Sequence, residues 1–176
     1  AWVCDRCMLV QVGQYQDPQN IFGQYDYFSS YSSSWLQHVE SFVAAITEQR
    51  SLGAHSRVLE LASNDGYLLQ YFIQRGIPAI GIEPAANVAN VALEKGIPTR
   101  VAFFGTALAE RMRADGELYD LIIGNNVLAH VPDLNDFVSG LAKVLSPEGI
   151  VSMEFPHLKC LIDECQFDTI YHEHFS

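Results

Sequence analysis

A doubly wound parallel α/β sheet is the fold class this sequence predicts, on three observations. A short strand-like run, a loop and a helical pattern recur four times in order, and a fifth strand closes the series. The strand runs are nearly all apolar, as strands covered on both faces must be. The 176 residues are 49% hydrophobic, enough for one buried core.

The opening stretch, residues 1–33, holds a cysteine pair at Cys4 and Cys7, a short strand-like apolar piece and a loop rich in Tyr and Ser. It lacks a core pattern. From residue 34 to 49, apolar residues at Trp35, Leu36, Val39, Phe42, Val43 and Ile46 follow the three-and-four spacing of a helix, with Ser32 to Ser34 available as caps. The repeating units follow. "SRVLELAS" is the first strand, and "NDGYLLQYFIQRG" its turn and helix, stopped by Gly76. "IPAIGIEPA" with "NVANVALEKG", "IPTRVAFFG" with "TALAERMRADG", and "YDLIIGNNV" with "DLNDFVSGLAKVLSPEG" repeat the pattern before the last strand, "IVSMEFP". Strands alternating with helices at this spacing build a parallel sheet. The only domain junction to read lies near residues 33–50.

Composition narrows the function classes. Ten Lys+Arg against 21 Asp+Glu leave a net charge of −11, which offers no basic surface to a phosphate backbone and argues against nucleic acid. No apolar run reaches the roughly 18 residues of a membrane span, and no leader pattern opens the chain, so a cytoplasmic setting with no membrane partner is expected. Four cysteines in that setting point to metal ligation or plain burial before disulfides. The chain starts at Ala1 in mid-pattern, which reads as a fragment.

Ligands of doubly wound sheets bind beyond the carboxyl ends of the strands, near the switch in strand order. The first such loop, Glu60 to Gly66, carries a single glycine, so the G-x-G-x-x-G that approaches a pyrophosphate is missing and a dinucleotide is disfavoured. The second strand ends at Glu83, 23 residues after Glu60, where a carboxylate can accept from both hydroxyls of a ribose. Together they fit a nucleoside without a diphosphate. The fourth loop, "GNNVLAHVPDL", sets Asn125, Asn126 and His130 at the mouth of an apolar strand. His130 by itself reads as a capping or hydrogen-bonding residue.

"VLELASNDGYLL", "GIEPAANVANVALEKGIPT", "FFG", "GNNVLAHVPDLNDFV", "EFPHL" and "FDTIYHEHFS" together resemble the sugar C-methyltransferase family, end to end. These are class I enzymes that use S-adenosylmethionine to methylate nucleotide-linked 4-keto-deoxyhexoses. The resemblance implies a Rossmann-like sheet of seven strands, five of them present here. It implies that Glu60, Ala62, Ser63, Asn64 and Gly66 hold the amino-acid part of the cofactor, that Glu83 and Pro84 hold the ribose, and that Asn125 and Asn126 line the methionine end. Phe103 and Phe104 would lie by the adenine, or else be plain core. Residues 34–176 would form the cofactor-binding domain, and residues 1–33 a remnant of a zinc-binding module in which Cys4 and Cys7 supply half of a four-thiolate site. Within this chain that pair is an orphaned ligand set or two free thiols. Cys160 and Cys165 read as incidental loop residues that can also join it.

The last motif supplies the chemistry. A carbon beside a ketone has no lone pair to methylate until a proton is removed, so a base and a group that steadies the enolate are required. Histidine suits a base at neutral pH. The resemblance assigns that role to His174, with Glu173 and Tyr171 orienting substrate or sharing the proton; Tyr25, Tyr27 and Tyr31 are candidates to close over the sugar. The H-E-H spacing is not the H-E-x-x-H of a helical zinc site. Two other functions stand beside C-methylation: transfer to an O or N acceptor with a ready lone pair, and a cofactor-binding module without catalysis.

Overall fold

The computed structural model describes residues 1–166 and Phe175. Two short strands, Trp2–Val3 (β1) and Val10–Gln11 (β2), pair antiparallel as a hairpin with Cys4 and Cys7 in its turn. A single-turn helix, Pro18–Phe22 (α1), is capped by the Asp17 carboxylate, which accepts from the Gln19 N–H, and has Pro18 at its first position, where a missing N–H costs nothing. The expected long helix is present as Ser33–Arg50 (α2). The Ser32 hydroxyl caps it, and Val39, Val43 and Ile46 form its buried stripe.

The main sheet follows in chain order: Val58–Leu61 (β3), Leu69–Gln74 (α3), Ala79–Glu83 (β4), Ala86–Glu94 (α4), Thr99–Val101 (β5), Thr106–Ala114 (α5), Tyr119–Asn125 (β6), Leu134–Val144 (α6) and Leu145–Glu154 (β7). All five strands are parallel, in the order β5-β4-β3-β6-β7. The doubly wound sheet expected from the sequence is therefore the observed fold. Leu158–Asp163 (α7), capped by His157, closes the described part and carries Cys160 on a helix where a loop was expected.

Side chains alternate between the two faces of each strand. Val58 of β3 joins Val39 and Val43 of α2 and Phe72 of α3 in one apolar cluster; Leu59 and Leu61 join Leu108 and Met112 of α5 and Leu141 of α6 in the other. Each fully buried aliphatic side chain contributes roughly 1.5–3 kcal/mol, so these two layers hold the sheet between its helices. The helices α3 and α4 stop alike. Gly76 and Gly96 take left-handed φ of 70° and 77°, and the following Ile77 and Ile97 N–H groups reach back to the carbonyls of Phe72 and Ala92. This terminator frees the chain to re-enter the sheet within two residues.

One boundary differs from expectation. β7 begins at Leu145, five residues before the expected Ile150, because its pairing with β6 jumps from Tyr119↔Leu145 to Leu121↔Ile150 across an irregularity that absorbs Pro147 and Gly149. No helix among the described residues is long and apolar enough to cross a membrane.

Candidate functional site

β3 and β6 are sheet neighbours whose chains leave in opposite directions, so the loops after them open a crevice at the carboxyl edge of the sheet. A cavity of about 500 Å³ occupies it. Ala62, Asn64, Glu83, Pro84, Phe103, Phe104, Asn125 and Asn126, separated by up to 64 positions in sequence, all line it. Glu60, Ser63 and Gly66, also expected at the cofactor, are buried and are not among its lining residues. Tyr171, Glu173 and His174 lie outside the described residues. Phe175, which follows them, is buried and donates its N–H to the Ala129 carbonyl at 2.6 Å, while its own carbonyl accepts from Val12 at 3.0 Å.

The loop after β3 has an unusual backbone. Ala62, Asn64 and Gly66 alternate in the left-handed region, with φ of 54°, 49° and 76°. Such positions cost a non-glycine residue roughly 1–2 kcal/mol, and asparagine tolerates them best because its side chain bonds locally. Asn64 does so here: its Oδ1 accepts from Asp65 N–H at 2.9 Å. The loop is held by Glu83. One Glu83 oxygen accepts from the Asn64 N–H at 2.8 Å and the other from the Ala85 N–H at 2.9 Å. Each oxygen keeps a lone-pair direction for a further donor. Burial raises the Glu83 carboxyl above its ordinary value, and the Ala85 and Asn64 amides partly offset this.

Glu60 is no surface charge: it is 0% exposed, on the same face of β3 as Val58. Neither of its carboxyl oxygens has a well-aligned hydrogen bond, although the Tyr67 hydroxyl is near enough to favour its charge. Burial drives the Glu60 carboxyl well above the usual range, and the Glu83 and Asp65 charges add to this. Tyr67, between Glu60 and Asn125, is likewise raised, first by burial and then by the Glu60 charge. Asn126, at φ 54°, donates its backbone N–H to the Glu154 carbonyl at 2.7 Å and its amide to the Glu154 carboxylate at 3.2 Å.

The two readings of the phenylalanine pair separate. Phe103 is 42% exposed at the cavity wall, whereas Phe104 packs edge-on against Phe137 at 5.4 Å and joins the apolar cluster as well as the wall. Residues 17–31 form a roof in the segment whose tyrosines were candidates to close over a substrate. Asp17, Phe22, Tyr25, Tyr27 and Ser29 line the cavity, and Phe22 meets the His130 ring edge-on at 5.4 Å. Tyr31 is excluded; it stacks on Phe28 and is 83% exposed. Asp133, Asp136 and Trp35 also line the cavity, although none was assigned a site role from the sequence. No lysine or arginine is among its described lining residues, while Asp17, Glu83, Asp133 and Asp136 are.

At the hairpin turn, the amides of Cys7 and Arg6 and the Cys7 thiol hold the Cys4 thiol below its ordinary pKa, which favours the thiolate a metal needs. Among the described residues no group of three or more His, Cys, Asp or Glu is placed to hold a metal ion, so Cys160 and Cys165 do not complete the set.

Comparison with known proteins adds to this geometry. The C-methyltransferase NovU of Streptomyces niveus is 36% identical over 174 residues, covering 99% of this chain and 41% of NovU. A ubiquinone biosynthesis O-methyltransferase of Bartonella tribocorum is 27% identical over 96 residues, 54% of this chain and 39% of its own. The chain thus spans less than half the length of these curated relatives. Among solved structures, the plantazolicin methyltransferase BpumL in complex with a pentazolic desmethylPZN analog and SAH superposes with a TM-score of 0.59 at 14% identity, over 79% of this chain and 52% of BpumL, a likeness of fold. The profile of the methyltransferase domain family matches residues 35–176, from the third residue of α2 to the end. With that match across the whole sheet and the cavity at its switch point, the chain belongs to the methyltransferase domain family.

Proposed function

We propose that this chain is the core of an S-adenosylmethionine-dependent C-methyltransferase that enolises a nucleotide-linked 4-keto-deoxyhexose and methylates the carbon beside the ketone. The observation that carries this reading is the shared cavity. Glu83 offers two carboxylate oxygens at the end of β4, Phe103 an exposed aromatic face, and Asn125 and Asn126 amides at the end of β6, all on one crevice. An acidic lining without Lys or Arg among the described residues suits a donor that carries a positive sulfonium. When bound, S-adenosylmethionine supplies an electrophilic methyl group.

The chain's own residues do the rest. Glu83 accepts from the ribose hydroxyls while holding the Asn64 and Ala85 amides, so cofactor binding and loop order share one carboxylate. Glu60, near the end of β3, offers the amino-acid end a buried carboxyl without a well-aligned hydrogen bond. His174 takes the proton from the acceptor carbon, with Glu173 and Tyr171 steadying the enolate. The similarity to NovU over 99% of the chain supports carbon as the acceptor atom. Cys4 and Cys7 provide two thiolates toward a structural zinc ion.

The deciding experiment incubates the protein with methyl-labelled S-adenosylmethionine and a nucleotide-linked 4-keto-deoxyhexose, then locates the label by NMR. Label on a ring carbon supports the reading. The similarity to O-methyltransferases over 54% of the chain favours oxygen as the rival acceptor, and label there would end the enolisation mechanism while keeping the cofactor. His174→Ala is expected to lower turnover about 10²–10⁴-fold, as loss of a general base does; near-normal turnover refutes the assignment.

A further inference from the structure

The roof over the cavity is fastened in a way its sequence does not require. Of residues 17–31 only Ser29 is fully buried; Ile21, Phe22, Tyr25 and Phe28 are half-buried, so no core position fixes this segment's backbone. Two asparagine side chains do. Asn87, in the first turn of α4, accepts from the Tyr25 N–H at 3.1 Å and donates to the Tyr25 carbonyl at 2.7 Å. Asn64 accepts from the Ser29 N–H at 3.0 Å and donates to the Tyr27 carbonyl at 2.9 Å. Each amide grips the strap's backbone as a neighbouring strand would, but from a side chain. Asp65 completes the fastening: its buried carboxylate accepts from the Ser30 hydroxyl and from Lys95 Nζ at 3.1 Å.

A segment held by half-buried side chains and a few polar bonds, without a core of its own, sits toward the low end of local stability. It also covers the cavity, with Phe22, Tyr25 and Tyr27 facing it. The asparagines belong to the two segments organised around Glu83, since Asn64 gives its N–H to Glu83 and α4 starts three residues after it. We propose that residues 17–31 are a gate over the cavity and that Asn87 is the positioning residue that latches it. The proposal rests on the cavity being the cofactor site. Asn87 does not itself line that cavity and reaches it only through the Tyr25 backbone, so it acts through the strap.

A gate and a lost ligand contact leave different kinetic signatures. Weakening a latch raises entry and exit together, whereas removing a contact raises exit only. Trp35 lines the cavity and is a fluorescent reporter of occupancy. For Asn87→Ala, losing both bonds to Tyr25, the rates of S-adenosylmethionine uptake and loss in stopped flow are each expected to rise about tenfold, with the equilibrium constant changed by less than about threefold. Asn87→Asp keeps the acceptor for the Tyr25 N–H and loses the donor, so its rates should fall between those of wild type and Asn87→Ala. Exit rising alone, or neither rate moving, overturns the gate. Hydrogen exchange at the Tyr25 and Ser29 amides tests the latch without any cofactor: faster exchange in Asn87→Ala with β3 and β4 unchanged supports it, and unchanged exchange overturns it. Wild-type protein that takes up no S-adenosylmethionine would instead remove the cofactor reading, a result the exchange experiment keeps separate.

Discussion

Glu60 and Glu83 differ in one respect that decides how each contributes to stability: Glu83 has two backbone donors, and Glu60 has no well-aligned partner. For Glu60 the folded-state pKa lies well above the unfolded value of about 4.3. The stability owed to its neutral form is therefore complete below that unfolded value and is lost as pH rises through the folded one. Glu60→Gln removes the buried charge. It should be more stable than wild type at about pH 8 by 1–3 kcal/mol and lose much of the stabilisation seen on acidification, at the cost of cofactor affinity. Urea melts across pH for both proteins check this. Glu83→Gln moves the other way: an amide NH₂ must face the Asn64 or Ala85 N–H. A loss of about 1–3 kcal/mol and at least about tenfold weaker S-adenosylmethionine binding are expected, measured by denaturation and calorimetry. The carboxylates were legible as polar residues closing apolar strands. Their different partners were not, because those partners are backbone groups brought in from other segments.

Among the elements, the helix stops were the most readable features. "RGI" and "KGI" each place a glycine where the chain turns left-handed and an isoleucine where an apolar residue can pack back on its helix, and both do so. No heavy atom lies within 4 Å of a Cβ added at Gly96, so Gly96→Ala pays only for φ of 77°. A loss of about 1 kcal/mol is expected from the urea midpoint, with the cavity unaltered. The loop after β3 was less legible. Its single glycine suggested a departure from a glycine-rich loop, yet Ala62 and Asn64 adopt the left-handed backbone that glycines would take. Strap and clamp bonds supply the compensation that sequence spacing does not display. Asn87 gave no signal at all, since an asparagine in a helical pattern reads only as a solvent-facing residue.

At the scale of the whole molecule, charge and topology act together. The net charge is −11, and the cavity is lined by Asp17, Glu83, Asp133 and Asp136. A cationic sulfonium is drawn to that field, and the neutral thioether left after methyl transfer is not. Raising ionic strength from about 0.05 M to 0.5 M should weaken S-adenosylmethionine binding by about two- to fivefold while leaving S-adenosylhomocysteine nearly unchanged. Calorimetry with both ligands reads the difference, and equal salt dependence would rule out a field effect. The same field repels a diphosphate, so under the proposed function the nucleotide-linked acceptor is expected to present only its sugar to this cavity.

The sequence by itself determined the sheet class, the long helix α2, the order of strands along the chain and the polar residues at strand ends. Those follow from local periodicity and turn chemistry, which act over a few residues. Only the tertiary structure decided that β3 and β6 are neighbours, that Glu60 is buried without a well-aligned partner, that Phe103 faces the cavity while Phe104 also packs inward, and that Asn64 and Asn87 hold residues 17–31 across the crevice. These depend on contacts between segments tens of residues apart, such as Tyr25 with Asn87 and Ser29 with Asn64. Such pairs are chosen by the packing of the finished sheet, and no local pattern in either segment encodes its partner.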